Sequence, residues 1–314
     1  MARISIEKGK AMRRILPALL LLGLMVSAQS GAQARTNIFA CEPEWAALAH
    51  EIGGAEVEIF TAVGPRQDPH HVRAKPSLIA AIRRADLVIC TGASLEIGWL
   101  PVLLQKAGGR NTQPGGIGYL LAADNVPILE KPETIDRSLG DIHPEGNPHV
   151  HLNPHNITLV AKELTARLQA VDPSHADEYE ANLAAFLQKW REAITRWEAD
   201  SARLKGMRVV AHHKSFSYLL DWLGMTEAGL LEVKPGIPPS TAHLEKLLKT
   251  LKSSPSRLII RTPYDPADAS EWLSQKTGTP AGVLPFTVGG DEQGGDLFRL
   301  FDRTLAILMG AQGA

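Results

Sequence analysis

Residues 174–204 read SHADEYEANLAAFLQKWREAITRWEADSARL, thirty-odd positions without glycine or proline. Leu183, Phe186, Trp190, Ile194, Trp197 and Leu204 recur at largely three- and four-residue intervals. At 3.6 residues per turn those side chains share one face, so the run predicts a single amphipathic helix of about 30 residues, ~45 Å long. Pro173 precedes it and Gly206 follows it, at the places where proline starts and glycine stops a helix. With chain of a different pattern on both sides, such a helix reads as a strut between two lobes.

Working outward, both flanks alternate short β-rich runs with amphipathic segments. Upstream, 37–41 (NIFAC), 56–60 (EVEIF) and 86–90 (DLVIC) read as strands, with helices near 44–53, 76–84, 95–107 and 156–170. Downstream, 207–211, 227–231, 257–261 and 281–284 read as strands, with helices near 214–223, 240–253, 266–276 and 294–309. Strand–helix alternation implies parallel pairing through βαβ crossovers. The expected fold is therefore α/β, with two lobes that each carry a parallel sheet flanked by helices, joined by one long rigid helix. The boundaries expected are 35–172 for the N-terminal lobe, 173–205 for the linking helix and 206–314 for the C-terminal lobe. If strands one and three lie side by side, as in a doubly wound order, Cys41 and Cys90 end at the same edge, which predicts a disulfide between them.

The first 34 residues read separately. Lys8, Lys10, Arg13 and Arg14 precede an apolar run from Ile15 to Ala28, and Ala32-Gln33-Ala34 offers a small-x-small cleavage pattern. That is the layout of a secretory signal peptide, with cleavage after Ala34; the apolar run is short for a membrane span, which takes about 20 residues. Removing Arg3, Glu7, Lys8, Lys10, Arg13 and Arg14 takes the formal net charge from -1 to -5. Export suits a disulfide. Ile38-Phe39-Ala40-Cys41 is a poor lipobox, with Phe where a small residue is usual, and Cys41 reads as structural. A composition of 44% hydrophobic and 21% charged residues argues against disorder and against a polytopic membrane protein. Near-neutral charge offers no basic face for nucleic acid.

Ligands of open α/β sheets sit beyond the carboxyl ends of the strands. Three histidine-bearing stretches fall in such positions: Asp68-Pro69-His70-His71, Asn147-Pro148-His149-Val150-His151, and Ala211-His212-His213. Three imidazoles converging in a cleft form a competent zinc site with room for one more donor. No stretch has a self-contained metal spacing; the argument lies in their combination. His70, His149 and His213 are the expected ligands. His71, His151 and His212 are expected as supporting or surface groups, and His50, His155, His175 and His243 as surface residues in or near helices.

On these residues the chain resembles the zinc/manganese solute-binding proteins of ABC transporters, the metal-binding cluster with a rigid interlobe helix. The similar motifs are DPHHVRAKPS (68–77), ADLVICTG (85–92), NPHVHLNP (147–154), HKSFSYLLDWLG (213–224) and KPGIPPS (234–240), with TG at 277–278. The resemblance implies a periplasmic protein, monomeric and not an enzyme. It would capture zinc on His70, His149 and His213 in the interlobe cleft and deliver it to an inner-membrane ABC permease. A carboxylate often completes the family's site; Asp265, Asp291 or water are the candidates. His151-Leu152-Asn153 departs from the family's usual Trp-Leu-Asp. The stretch 131–148 holds only His143 with several acids, so a histidine-rich collecting loop is weak or absent. Manganese binders of the family commonly carry Glu at the third position, and His213 therefore favours Zn²⁺ over Mn²⁺. Two rival readings are a secreted zinc hydrolase, with Glu42 or Asp68 as base, and an adhesin on the same fold.

Overall fold

The computed structural model describes residues 1–2, 35–133, 143–234, 236–291 and 295–312. All but the first two residues of the export segment read at 1–34 lie outside the described residues, as do the acids between 134 and 142. Four short runs in each half pair as strands. β1 (Thr36–Ala40), β2 (Val57–Thr61), β3 (Leu87–Cys90) and β4 (Tyr119–Leu121) form one sheet in the order β2-β1-β3-β4. β5 (Arg208–Ala211), β6 (Thr226–Leu230), β7 (Leu258–Arg261) and β8 (Ala281–Val283) form a second in the order β6-β5-β7-β8. Every pairing is parallel. β4 was not foreseen: it is three residues long and follows glycine-rich chain. Gly118 is needed there, because a Cβ would stand 2.2 Å from the carbonyl oxygen of Asp86. Its own carbonyl accepts the amide of Val88 at 2.7 Å, which starts the pairing with β3.

The helices are α1 (Pro43–Gly53), α2 (Pro76–Arg84), α3 (Leu100–Ala107), α4 (Pro154–Val171), α5 (Ala176–Ser201), α6 (Ser217–Leu223), α7 (Thr241–Ser253), α8 (Asp268–Thr277) and α9 (Leu297–Gln312). Proline opens α1, α2, α3 and α4, where its missing N–H and fixed φ cost nothing. α3 begins five residues later than the pattern suggested. Gly92, Ala93 and Ser94 all have positive φ, and Pro101 has to lie in the first helical turn. Among the described residues no helix is long and apolar enough to cross a membrane.

Strand side chains alternate between two buried faces, as a sheet covered on both sides requires. Ile38, Ala40, Leu87 and Ile89 of the first sheet share a core with Val209, Ala211, Leu258 and Ile260 of the second. Phe39, Val88 and Cys90 face a separate cluster with Leu78 and Ile82 of α2, Leu103 of α3, and Trp99 just before α3. Val210 and Ile259 face another, with Leu247 and Leu273 of α7 and α8. The shared core is organised by α5. A short 3₁₀ turn at each end extends it from Pro173 to Leu204, so the long apolar run is helical throughout. It lies against α1 and α4 on one side and α9 on the other. Trp190, fully buried, has Phe186, Trp197, Phe298 and Phe301 around it with ring centroids 4.9–5.5 Å away. Its indole N–H donates to the carbonyl of Pro154 at 2.8 Å. Trp190→Ala is expected to destabilise the metal-free protein by about 3–5 kcal/mol, read from urea denaturation.

β1 and β3 are neighbours, and Cys41 and Cys90 form the disulfide just past their paired ends, with Cα atoms 4.8 Å apart. Next to it sits a buried acid pair. Glu96 accepts the amides of Thr91 (2.7 Å) and Gly92 (3.0 Å), and Glu42 accepts the Thr91 hydroxyl at 3.1 Å. Burial pushes the carboxyl of Glu96 up to about 7. Burial and the charges of Glu96 and Glu44 push Glu42 well above its ordinary 4.5. Both folded values exceed the unfolded one, so the folded chain holds extra protons above pH 4.5 and loses stability as pH rises through about 7. Glu42→Gln should therefore raise the melting temperature at pH ~8 and leave it nearly unchanged at pH ~5, measured by thermal denaturation.

Candidate metal centre

The carboxyl ends of both sheets point their loops into one cleft. His70 lies in the loop after β2, and His213 stands two residues beyond β5. His149 precedes the 3₁₀ turn Val150–Leu152 that leads into α4. The structure brings these three sequence-predicted residues together, with one ring nitrogen of each within 4.8 Å of the others. Their ring centroids are 5.7–6.1 Å apart and each pair is close to perpendicular, so the rings converge edge-on.

Each imidazole is aimed by a partner. Asp68 accepts His70 Nδ1 at 2.7 Å and its backbone amide at 2.9 Å. Burial works to raise the Asp68 carboxyl, but the His70 hydrogen bonds outweigh it and hold it below the ordinary value. Glu232, just past β6, stands 3.2 Å from His213 Nδ1 and 3.4 Å from His212 Nε2. Burial opposes its ionisation too, yet the two histidines bring it down to about 2. These are the carboxylate–imidazole pairs that fix a ring's tautomer and make its outer nitrogen a better donor. Trp99 Nε1 donates to the Pro69 carbonyl at 3.0 Å, pinning the His70 loop from below.

His149 differs from the other two. Its side chain is 1% exposed, and among the described residues neither ring nitrogen has a hydrogen-bond partner. Burial, then the neighbouring His70, His213 and His143, push it well below the usual imidazole value, so it stays neutral. A buried polar ring without a partner is costly unless something binds it. Its backbone is well held. Asn147 Oδ1 accepts the His149 amide at 2.9 Å, while Asn147 Nδ2 donates to Glu130 Oε2 and the Lys214 carbonyl, both at 2.9 Å. Tyr218 of α6 accepts the Leu129 amide at 2.9 Å and donates to the Asn147 carbonyl at 3.0 Å.

Sequence reading left His143 without a role, and the structure places it here. Its Nε2 lies 3.2 Å from His70 Nε2, and its Nδ1 is 3.0 Å from the Ala93 carbonyl. Burial and the nearby His70 bring its pKa down to about 4.

Of the remaining candidates, Asp265 lines the cleft beside His70 and His213, and its Oδ2 accepts the Thr262 amide at 2.8 Å. Asp291 pairs with Arg303 at 3.2 Å. His71 is exposed on the rim. His151 is a supporting group: buried, it stands 2.8 Å from the Phe286 carbonyl and 3.2 Å from Glu44, which is also hydrogen-bonded to Thr287. That arrangement ties the two halves together. Of the presumed surface histidines, His175 pairs with Asp172 and His243 with the Leu230 carbonyl. Glu232 was legible in principle, since it follows a predicted strand. Asn147 and Tyr218 were not, because their partners are distant in sequence.

A family model described as zinc-uptake complex component A, periplasmic, matches residues 38–311. The chain is 25% identical over 287 residues to the iron ABC transporter substrate-binding lipoprotein MtsA of Streptococcus pyogenes serotype M1, covering 87% of this chain and 88% of that one. It is 26% identical over 214 residues to the manganese ABC transporter substrate-binding lipoprotein PsaA of Streptococcus pneumoniae, covering 66% and 65%. The crystal structure of ZnuA shares the fold, with a TM-score of 0.72, 21% identity, and coverage of 89% of this chain and 99% of that one.

With zinc as the probe ion, Asp68→Asn should weaken binding by about 10–100-fold, because the ring keeps a neighbour but loses the charge that strengthens it. Chelator competition measures the change, and far-UV circular dichroism should be unaltered.

Proposed function

The chain belongs to the zinc-uptake complex component A family of metal ABC transporter periplasmic binding proteins, and from that membership and its imidazole cluster we propose that it captures a zinc ion and delivers it to a membrane permease. The ion is cargo. His70 and His149 from the first half and His213 from the second hold it, so binding ties the two halves together. The observation that carries this reading is His149, a neutral ring buried to 1% exposure with both nitrogens unpartnered. A cation supplies a partner for the nitrogen that carries the lone pair.

Zinc is favoured over manganese by the donor set. Imidazole is a borderline donor suited to zinc, whereas manganese prefers oxygen. The carboxylates nearest the rings, Asp68 and Glu232, are engaged with the far nitrogens of His70 and His213. The role is non-catalytic on this reading. Of the two bases considered for a hydrolase, Asp68 is bound to His70, and Glu42 is buried beside Thr91. The basic and apolar start of the chain, with Ala32-Gln33-Ala34, supports export to the periplasm through a signal peptide cleaved after Ala34. Cys41 is held in its disulfide, which supports a structural role for it and not a lipid anchor. The protein acts as a monomer at an inner-membrane permease. Because the inner faces of both sheets share one core, release proceeds by small rotations of the lobes about α5 and local movement of the ligand loops.

Zinc titration of chelator-stripped protein tests the assignment. Zinc at about 100 times Kd should stabilise the fold by about 2.7 kcal/mol. His70→Ala, His149→Ala and His213→Ala should each lose most of the zinc affinity and most of that stabilisation. Wild-type affinity in all three variants would refute the site.

A further inference from the structure

Two rings in the cleft face one another through their Nε2 atoms. His70 presents Nδ1 to an ionised carboxylate, Asp68, at 2.7 Å, so its proton sits on Nδ1. His143 presents Nδ1 to a carbonyl oxygen, Ala93, at 3.0 Å, so its proton also sits on Nδ1. Metal binding requires neutral rings, and in that state both Nε2 atoms are lone pairs, 3.2 Å apart. Between two neutral rings such a contact is repulsive unless a cation lies between them. The spacing is what a tetrahedral ion imposes: bonds of about 2.0–2.1 Å at the tetrahedral angle separate two nitrogens by roughly 3.3–3.4 Å. His143 also lies 6.4 Å from His149 between ring centroids.

We propose that His143 is the fourth ligand of the cargo ion, closing an all-imidazole site with His70, His149 and His213. The proposal rests on the three-histidine reading above and replaces the carboxylate or water expected in the fourth position. The segment that carries His143 is held in place by hydrogen bonds. The His143 carbonyl accepts the Gly146 amide at 3.1 Å, Ser94 donates to Glu145 at 2.7 Å, and the Asn147 amide donates to the Leu129 carbonyl at 2.8 Å. The Ala93 carbonyl that holds the ring belongs to a turn with φ of +47°, a conformation uncommon for alanine, which sets the direction of that acceptor. The rival donor Asp265 gives one carboxylate oxygen, Oδ2, to the Thr262 amide. Four neutral nitrogens leave the ion's charge uncompensated by any direct oxygen ligand. That donor set selects zinc and its borderline neighbours and rejects manganese.

Zinc-edge X-ray absorption on the full-length zinc-loaded protein counts the imidazoles directly. The wild type should show four, and His143→Ala three plus one oxygen. His143→Asp should bind manganese detectably in competition with zinc, where the wild type does not. His143→Asn gives the same count if the alanine variant is unstable. Three imidazoles plus oxygen in both the wild type and the variants, with manganese affinity unchanged in His143→Asp, overturns the fourth ligand and leaves the three-histidine site intact. Undiminished zinc affinity in the His70, His149 and His213 variants overturns the site beneath it instead.

Discussion

The structure depends on one shared apolar core laid along α5. Side chains from the inner faces of both sheets and from α1, α4 and α9 enter it, and Trp190 stands at its centre with aromatic neighbours from α5 and α9. A close-packed core transmits position and does not deform smoothly. The carboxyl ends of β2 and β5 are therefore held in fixed relation, although they belong to different sheets. Loops that leave those ends meet because the core beneath them cannot slide. A pair of sheets joined by a flexible linker would lose that register and the shared cleft with it.

Above this base the cleft is built by dividing labour between charged and neutral groups. Asp68 and Glu232 keep their charges on the far sides of His70 and His213 and leave the near sides to the rings. His149 has no such helper, and its burial among other imidazoles keeps it neutral. The result is a cavity wall of lone pairs with negative charge one layer behind. That arrangement attracts a cation. His151, one position removed from the ring pattern, takes a separate task by joining Glu44 of α1 to the Phe286 carbonyl beyond β8.

Local pattern made most elements readable. The apolar stripe of α5, the prolines opening α1, α2 and α4, and the short Val/Ile/Leu runs of β1, β3, β5 and β7 carry their signals within a few residues. β4 was invisible because three residues cannot show a period and the glycines before it serve a close backbone approach at Asp86. The start of α3 was misplaced because Gly92, Ala93 and Ser94 adopt positive φ, which apolar spacing does not encode. The pairing of Cys41 with Cys90 followed from strand order, since β1 and β3 are neighbours.

What the sequence determined by itself was every strand but β4, the helices, the parallel arrangement, and three histidine-bearing loops at the carboxyl ends of strands. These follow from periodicity and backbone preference, which act over a few residues. The tertiary structure alone decided which nitrogen of each ring faces inward, that Glu232 serves both His212 and His213, and that Asn147 and Tyr218 hold the His149 segment. It also decided that His143 comes to 3.2 Å from His70 while Asp265 turns to the Thr262 amide. The physical reason is range: hydrogen bonds and lone-pair contacts reach about 3 Å, and only the folded core brings residues 70 and 143, or 147 and 218, within that distance.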